Sequence, residues 1–111
     1  EYYKEAAEMY DILIKENKIK KEDIPTYLVD IGTLFFYNEQ FDEGIKYFNE
    51  VLNNYSNSQK VYEAIYFNGI YKIIIGNKEE GINYLKSFTN SITNNDLKNQ
   101  YIEAIEYYGE E

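Results

Sequence analysis

The most constraining feature of this 111-residue chain is an internal repeat with a period of 37 to 38 residues. A small residue recurs at Ala6, Gly44 and Gly81. Gly32 and Gly69 also lie 37 residues apart, and each precedes the next of those glycines by twelve residues. Two apolar positions keep the same offsets: Tyr10, Phe48 and Leu85, and Leu13, Val51 and Phe88. A period of this length is typical of folds that stack one helix pair upon the next, because a single pair cannot bury its apolar face alone.

The apolar residues inside each period follow a helical spacing. Leu28, Ile31 and Phe35 are three and four residues apart, which places them on one helix face. With one proline and six glycines in the chain, long helices are favoured over a turn-rich β fold. We therefore predict an all-α fold with about six helices, at residues 2–17, 23–38, 41–55, 58–75, 78–92 and 95–108.

Short polar segments separate these predicted helices. Residues 38–40 have the length of a turn between antiparallel neighbours. Residues 56–58 and 93–96 are rich in Ser, Thr, Asn and Asp, which cap the helices that follow them. Residues 76–77, Gly-Asn, mark a helix end. Pro25 is expected in the first turn of its helix. Backbone N–H groups in that turn have no partner within the helix, so the lack of an N–H in proline costs no hydrogen bond there.

One of the predicted helix pairs resembles the tetratricopeptide repeat, specifically over residues 25–58. The residues that carry the resemblance are Leu28, Ile31, Gly32 and Phe35, followed by Phe41, Gly44, Phe48, Val51 and Leu52. The family pattern has small residues at the close contacts of the two helices and aromatic or aliphatic residues around them. Leu28, Gly44 and Ser56 stand where the family pattern has an aromatic residue, alanine and proline.

The second unit, residues 59–92, matches the family pattern at Gly69 and Gly81. It departs from it where Asn68, Lys72 and Lys78 replace apolar or aromatic residues. A shift of three residues in its first helix would instead bring other residues into the packing positions: Tyr62, Ile65 and Tyr66. Both registers remain open from the sequence.

The resemblance implies antiparallel helical hairpins stacked as a short right-handed superhelical solenoid. We expect one domain over residues 1–111, made of a half-repeat 1–22, a repeat 23–58, a repeat 59–92 and a half-repeat or capping helix 93–111. Because the chain begins at Glu1, already inside a helical pattern, we interpret it as a piece of a longer protein. No leader is visible, so a cytoplasmic location is favoured, with export through an upstream signal as the alternative.

The residue types that carry most enzyme chemistry are missing from the composition. The chain has neither His nor Cys, which removes the commonest general base, the thiol nucleophile and the usual transition-metal ligands. Acidic pairs such as Asp42-Glu43 and Glu79-Glu80 fall at helix starts, where the helix dipole favours them. We therefore expect no catalytic residues, no metal site, no cofactor and no enzyme activity.

The net charge of −9 restricts the kind of partner. Nucleic acids are bound by clustered cations, and here 20 acidic residues outnumber 11 lysines. No apolar run approaches the roughly 20 residues needed to span a bilayer, so membrane insertion is not expected. A protein or peptide that is basic, or that is recognised through apolar contacts, remains as the expected partner.

In tetratricopeptide proteins the first helix of each repeat lines a concave groove that receives a peptide. Carried onto this chain, that resemblance implies a set of groove residues: Val29, Asp30, Thr33, Phe36, Tyr37, Glu63, Tyr66, Phe67, Ile70 and Ile74. The helix predicted at 58–75 is apolar on nearly all sides, so it is either enclosed or presents an apolar patch. The expected function is a protein-interaction module or scaffold. The alternative is a structural segment of a longer solenoid, or a repeat domain that associates with itself.

Overall fold

The computed structural model describes residues 2–110. Over this range the chain forms six α-helices, a one-turn 3₁₀ helix at Lys21–Asp23 and no β-strand. The α-helices are α1 Tyr2–Lys15, α2 Ile24–Tyr37, α3 Phe41–Asn54, α4 Val61–Ile74, α5 Lys78–Thr89 and α6 Asn95–Gly109. The predicted all-α class is confirmed, while the superhelical stacking stays a prediction. The chain divides into two compact units, the first ending at Val61 and the second beginning at Tyr62.

Local chemistry accounts for several of the helix ends. Pro25 lies in the first turn of α2, as predicted. The Asn94 side chain caps α6 by accepting the N–H of Leu97 at 2.9 Å. α4 begins three residues later than predicted, because residues 56–60 form turns in which Ser58 Oγ accepts the N–H of Lys60 at 3.1 Å.

The hairpin of α2 and α3 is built around two glycines. A Cβ at Gly32 would lie 2.8 Å from the ring of Phe48, well inside van der Waals contact. A Cβ at Gly44 would lie 2.6 Å from the Phe36 ring and 3.0 Å from the carbonyl O of Gly32. The two antiparallel helices therefore approach until one main chain nearly touches the other, and the neighbouring aromatic rings fill the space that side chains at the glycines would occupy.

The hairpin of α4 and α5 repeats this arrangement 37 residues later. A Cβ at Gly69 would lie 2.5 Å from Leu85, which takes the place of Phe48. A Cβ at Gly81 would lie 2.7 Å from the carbonyl O of Gly69 and 2.6 Å from Ile73. Of the two registers left open by the sequence, the structure therefore has the one set by the glycines.

The two hairpins also share the geometry of their turns. Glu39 has φ 59° and Gly76, 37 residues later, has φ 101°, so both lie in the left-handed region. After them Gln40 and Asn77 each donate an N–H to a carbonyl five residues back, at 2.8 Å in both turns. This bond closes the helix end. It requires the preceding residue to have the left-handed conformation, which glycine adopts most easily.

One contact between the two helices occurs at the same repeat position in both hairpins but is made by different residue types. In the first unit the ring of Phe35 stacks on Tyr47 at 5.7 Å between centroids. In the second unit the corresponding Lys72 places its Nζ 5.2 Å from the ring of Tyr84. A lysine where the repeat pattern has an aromatic residue therefore still covers the tyrosine, as a cation–π contact.

α1 packs on α2 in the first unit through aromatic pairs. The ring of Tyr3 meets Phe35 edge-on at 5.1 Å. Ala7 is buried against the same cluster, while Ala6 is only half-buried. Ala7, not Ala6, therefore makes the contact with α2. Ala7, which precedes Gly44 by 37 residues, lies at the contact because its helix face is the one turned towards α2.

In the second unit α6 is anchored to α4 by one tyrosine. Tyr101 is fully buried and its O–H donates to the main-chain carbonyl of Tyr62. Its ring lies 5.5 Å from that of Tyr66. The buried hydroxyl is thus paired, which removes the penalty that an unpaired polar group would carry.

We expect Gly81→Ala to destabilise the protein by about 1–3 kcal/mol, although alanine is the better helix former. The new methyl group would meet the main chain of α4, which cannot move aside. Urea unfolding followed by circular dichroism measures the effect. Gly109→Ala is the control, since a Cβ there meets nothing within 4 Å and should be neutral or stabilising. Equal stabilisation by both substitutions would contradict the close approach.

We also expect Glu39→Gly to stabilise the first unit by up to about 1 kcal/mol, because glycine adopts the left-handed conformation without strain. Gly76→Ala should have the opposite sign and lower the stability by about 1–2 kcal/mol. As a control, Glu103→Gly at an exposed position in the middle of α6 should lower it by about 0.5–1 kcal/mol. Thermal or urea unfolding of the three variants provides the measurement. A loss of stability in Glu39→Gly would refute the turn assignment.

Candidate protein-binding surface

α2 keeps one narrow strip of its surface uncovered within the first unit. Its Ile31 and Phe35 side chains face α1, whereas Gly32 and Phe36 face α3. Between these two buried faces lies a strip that is exposed or half-buried, which we call the α2 strip: Asp30, Thr33, Leu34 and Tyr37. Helix periodicity explains the set, because these positions are three, one and three residues apart.

Two residues that the sequence places on the surface of α2 belong to the core. Val29 is 2% exposed and Phe36 is 6% exposed. The Phe36 ring packs edge-on against Phe41 and Phe48, at 5.2 and 5.3 Å between centroids. Val29 lies seven residues earlier, about two helical turns, and so shares this face. The prediction of Val29 and Phe36 as groove residues is wrong, because the face they share is buried and the Phe36 ring packs against α3.

The other predicted residues of α2 are accessible to different degrees. Tyr37 is 78% exposed and Asp30 is exposed. Thr33 is half-buried, and its Oγ1 donates to the carbonyl O of Val29 at 2.7 Å. Leu34 is exposed and was missed by the sequence prediction. It lies four residues after Asp30 and three before Tyr37, so helical spacing alone was a sufficient signal.

In the second unit α4 presents the remaining predicted residues. Glu63, Phe67 and Ile70 are half-buried, and Ile74 is exposed. Tyr66 is half-buried and packs against Tyr101 of α6, which makes it part of the anchoring of that helix. We call Phe67, Ile70 and Ile74, together with the half-buried Tyr71, the α4 strip.

The two strips occupy equivalent positions of their hairpins. The 37-residue offset that relates the glycine contacts also relates the strip residues in pairs: Asp30 with Phe67, Thr33 with Ile70, Leu34 with Tyr71, and Tyr37 with Ile74. The α2 strip therefore combines a carboxylate and a hydroxyl with apolar groups. The α4 strip presents aliphatic and aromatic side chains. The same surface of the two hairpins is therefore partly polar on α2 and mainly apolar on α4.

A separate open cleft of about 560 Å³ lies at the far end of the first hairpin. It is lined by residues at the start of α2 and after α3: Lys21, Glu22, Pro25, Thr26 and residues 54–60. None of the predicted groove residues lines it.

In residues 2–110 no group of three or more His, Cys, Asp or Glu side chains is arranged to hold a metal ion. Nor does any helix in this range combine the length and apolar character that crossing a bilayer requires.

Displaced pKa values occur at the buried Tyr101 and at three half-buried residues: Asp11, Tyr47 and Tyr84. Burial raises the pKa of Tyr84 and, more strongly, of Tyr101. Burial also raises the pKa of Asp11 on α1, an effect opposed by Lys15 and by the hydrogen bond from Tyr47. The pKa of Tyr47 is raised by its own burial and by the negative charge of Asp11. These groups lie outside both strips, and they hold helices together.

Comparison of the chain with protein-family models, with curated proteins and with solved structures gives no significant match.

We expect Asp11 to lower the stability of the protein as the pH rises. The pKa of Asp11 is higher in the folded state than in the unfolded chain, so its carboxyl group loses its proton at a lower pH when the chain is unfolded. The contribution of the protonated group to stability is therefore complete below about pH 4 and is lost as the pH rises through the pKa of the folded state. The stability gained by Asp11→Asn should therefore be larger at pH 7 than at pH 4 in urea unfolding. The exposed Glu5→Gln on the same helix is the control for removing one charge. A pH-independent difference would contradict the raised pKa of Asp11 in the folded state.

Proposed function

We propose that the chain is a non-catalytic protein-interaction module, similar to tetratricopeptide repeats, that binds a protein or peptide through the α2 and α4 strips. The observation that carries the proposal is the exposure of large side chains at equivalent positions of two hairpins. Tyr37 and Leu34 are exposed on α2, and Ile74 is exposed on α4 beside the half-buried Phe67 and Ile70.

The chemistry of the strips supports this use. Aromatic and aliphatic side chains on a rigid helix supply contact area with little loss of conformational entropy, which is the usual composition of binding hot spots. The turn after Tyr37 is held by the Asn38 side chain, whose Nδ2 donates to the carbonyl O of Leu34 at 2.8 Å. The exposed groups therefore project from an ordered helix end.

The strips also suggest the chemistry of the ligand. Asp30 can pair with a basic group next to the apolar contacts of Leu34 and Tyr37. The α4 strip offers the aliphatic side chains of Ile70 and Ile74 and the aromatic rings of Phe67 and Tyr71. A partner segment that carries a basic residue beside apolar residues would suit the α2 strip, and an apolar segment would suit the α4 strip. The net charge of −9 would favour the approach of a basic partner.

Selection of binding peptides from a random library, followed by affinity measurements on variants, tests the proposal. We expect Tyr37→Ala and Ile74→Ala to weaken selected peptides about tenfold or more, since central anchors contribute on the order of 1–2 kcal/mol or above. Asp30→Asn should weaken basic peptides selectively. Ile70→Ala is a further probe, read together with circular dichroism because Ile70 is half-buried.

Tyr107→Ala provides the matched control for Tyr37→Ala, because Tyr107 is also an exposed tyrosine and lies on α6, at 66% exposure against 78% for Tyr37. It should leave peptide affinity unchanged. Selected peptides that bind all strip variants as tightly as the original chain would contradict the proposal. Loss of folding in Ile70→Ala, with affinity unchanged in Tyr37→Ala and Ile74→Ala, would mark the α4 strip as structural.

A further inference from the structure

α1 has an exposed apolar face on the side opposite to its packing contacts. Tyr3, Ala7 and the half-buried Tyr10 turn towards α2. Met9 and Ile12 point away from it and are 63% and 54% exposed. They are three residues apart, so their side chains are neighbours on the helix surface.

Two glutamates flank this apolar pair along the helix, one on each side. Glu16 directly follows α1, and its N–H donates to the carbonyl O of Ile12 at 2.9 Å, so it continues the helical path. At 100° per residue, Glu5 and Glu16 fall on the same line as Met9 and Ile12, one on each side of the apolar pair. Lys4 and Lys15 lie about a quarter turn away from that line. Glu5 and Glu16 are both exposed. We call the four residues Glu5, Met9, Ile12 and Glu16 the α1 face.

The outward surface of α6 in the second unit is different. Its exposed residues Asn99, Glu103 and Glu106 are polar. The exposed apolar residues Ile102 and Tyr107 are five positions apart, which turns them about 140° from each other. α6 therefore lacks an adjacent apolar pair, and the α1 face is not a general consequence of a helix at the surface.

A second copy of the chain is a poor occupant for the α1 face. In an antiparallel two-fold pairing centred on the apolar pair, Glu5 of one copy would lie opposite Glu16 of the other. In a parallel pairing each glutamate would face its own counterpart. Both arrangements bring like charges together at the rim, in a chain that already carries a net charge of −9.

We propose that the α1 face docks a basic amphipathic helix of another protein. Two neighbouring apolar residues of that helix would pack on Met9 and Ile12. Lys or Arg residues on either side of them would pair with Glu5 and Glu16, which are eleven residues and hence about 16 Å apart along α1. Charge complementarity sets the register of the helix, and the apolar contact supplies most of the affinity. This surface is independent of the α2 and α4 strips.

The test uses two synthetic helical peptides of about 18 residues, or five turns, with identical composition. In the matched peptide two leucines three residues apart are flanked, on the same face, by two lysines eleven residues apart. In the isomeric peptide those lysines are moved to the opposite face. We expect the matched peptide to bind about tenfold more tightly by fluorescence anisotropy, because only its charges meet Glu5 and Glu16.

Substitutions separate the two contributions to binding. Ile12→Asn and Met9→Gln should each weaken the matched peptide about tenfold, with the α-helical circular dichroism signal retained because both positions are exposed. Glu5→Gln and Glu16→Gln should each weaken it about two- to fivefold and reduce the dependence of the affinity on salt. Glu103→Gln and Glu106→Gln on α6 remove the same charge elsewhere and should have no effect.

Three results would overturn the proposal. One is equal affinity for the matched and isomeric peptides. Another is unchanged affinity in both Ile12→Asn and Met9→Gln. The third is a concentration-dependent dimer in sedimentation equilibrium that Ile12→Asn dissociates, since a second copy would then occupy the face. Tyr37→Ala should not affect matched-peptide binding, so failure here is distinguishable from failure of the α2 and α4 strips.

Discussion

The contact between glycine main chains is the constraint on which both hairpins depend. In each hairpin the second glycine lies so close to the first that a Cβ would approach the first one's carbonyl O, to 3.0 Å at Gly44 and 2.7 Å at Gly81. Four glycines within helices are unfavourable by roughly 1 kcal/mol each relative to alanine. Close packing offsets that loss, because Phe48 and Leu85 occupy the space beside Gly32 and Gly69.

The sequence prediction was correct where local patterns determine the structure, and it was wrong where the packing of neighbouring helices determines it. Helical spacing and the 37-residue period were sufficient for the all-α class, the six helices and the turn at Gly76, because these depend on local patterns. The period did not reveal how the faces of α2 are used. Val29 and Phe36 were assigned to the surface from a family pattern, yet the face they share is buried. A single helix pattern does not show that both sides of α2 are covered.

Two other differences have a similar origin. Ala6 and Ala7 are adjacent alanines, and only the observed rotation of α1 places Ala7 against α2. Leu34 was absent from the set that the family resemblance implied, although its helical spacing from Asp30 and Tyr37 places it on the same strip. In the candidate binding strips, exposure depends on which neighbouring helices are present. The sequence gives the residue types of the two strips, but the exposure of each strip residue depends on the packing of neighbouring helices and is seen only in the structure.

The bond between Tyr101 and Tyr62 joins residues separated by 39 positions, and it has a consequence for biosynthesis. Translation proceeds from the N-terminus, so α4 and α5 are complete before Tyr101 has been added to the chain. Until then the space that its ring occupies is open, and Tyr66 lacks the aromatic neighbour it has in the finished unit. The first unit ends at Val61, so all of its residues are translated before Tyr101 and it can form earlier. The nascent chain therefore passes through a stage in which one unit is complete and the other still exposes apolar surface, the stage at which a chaperone would have most to bind.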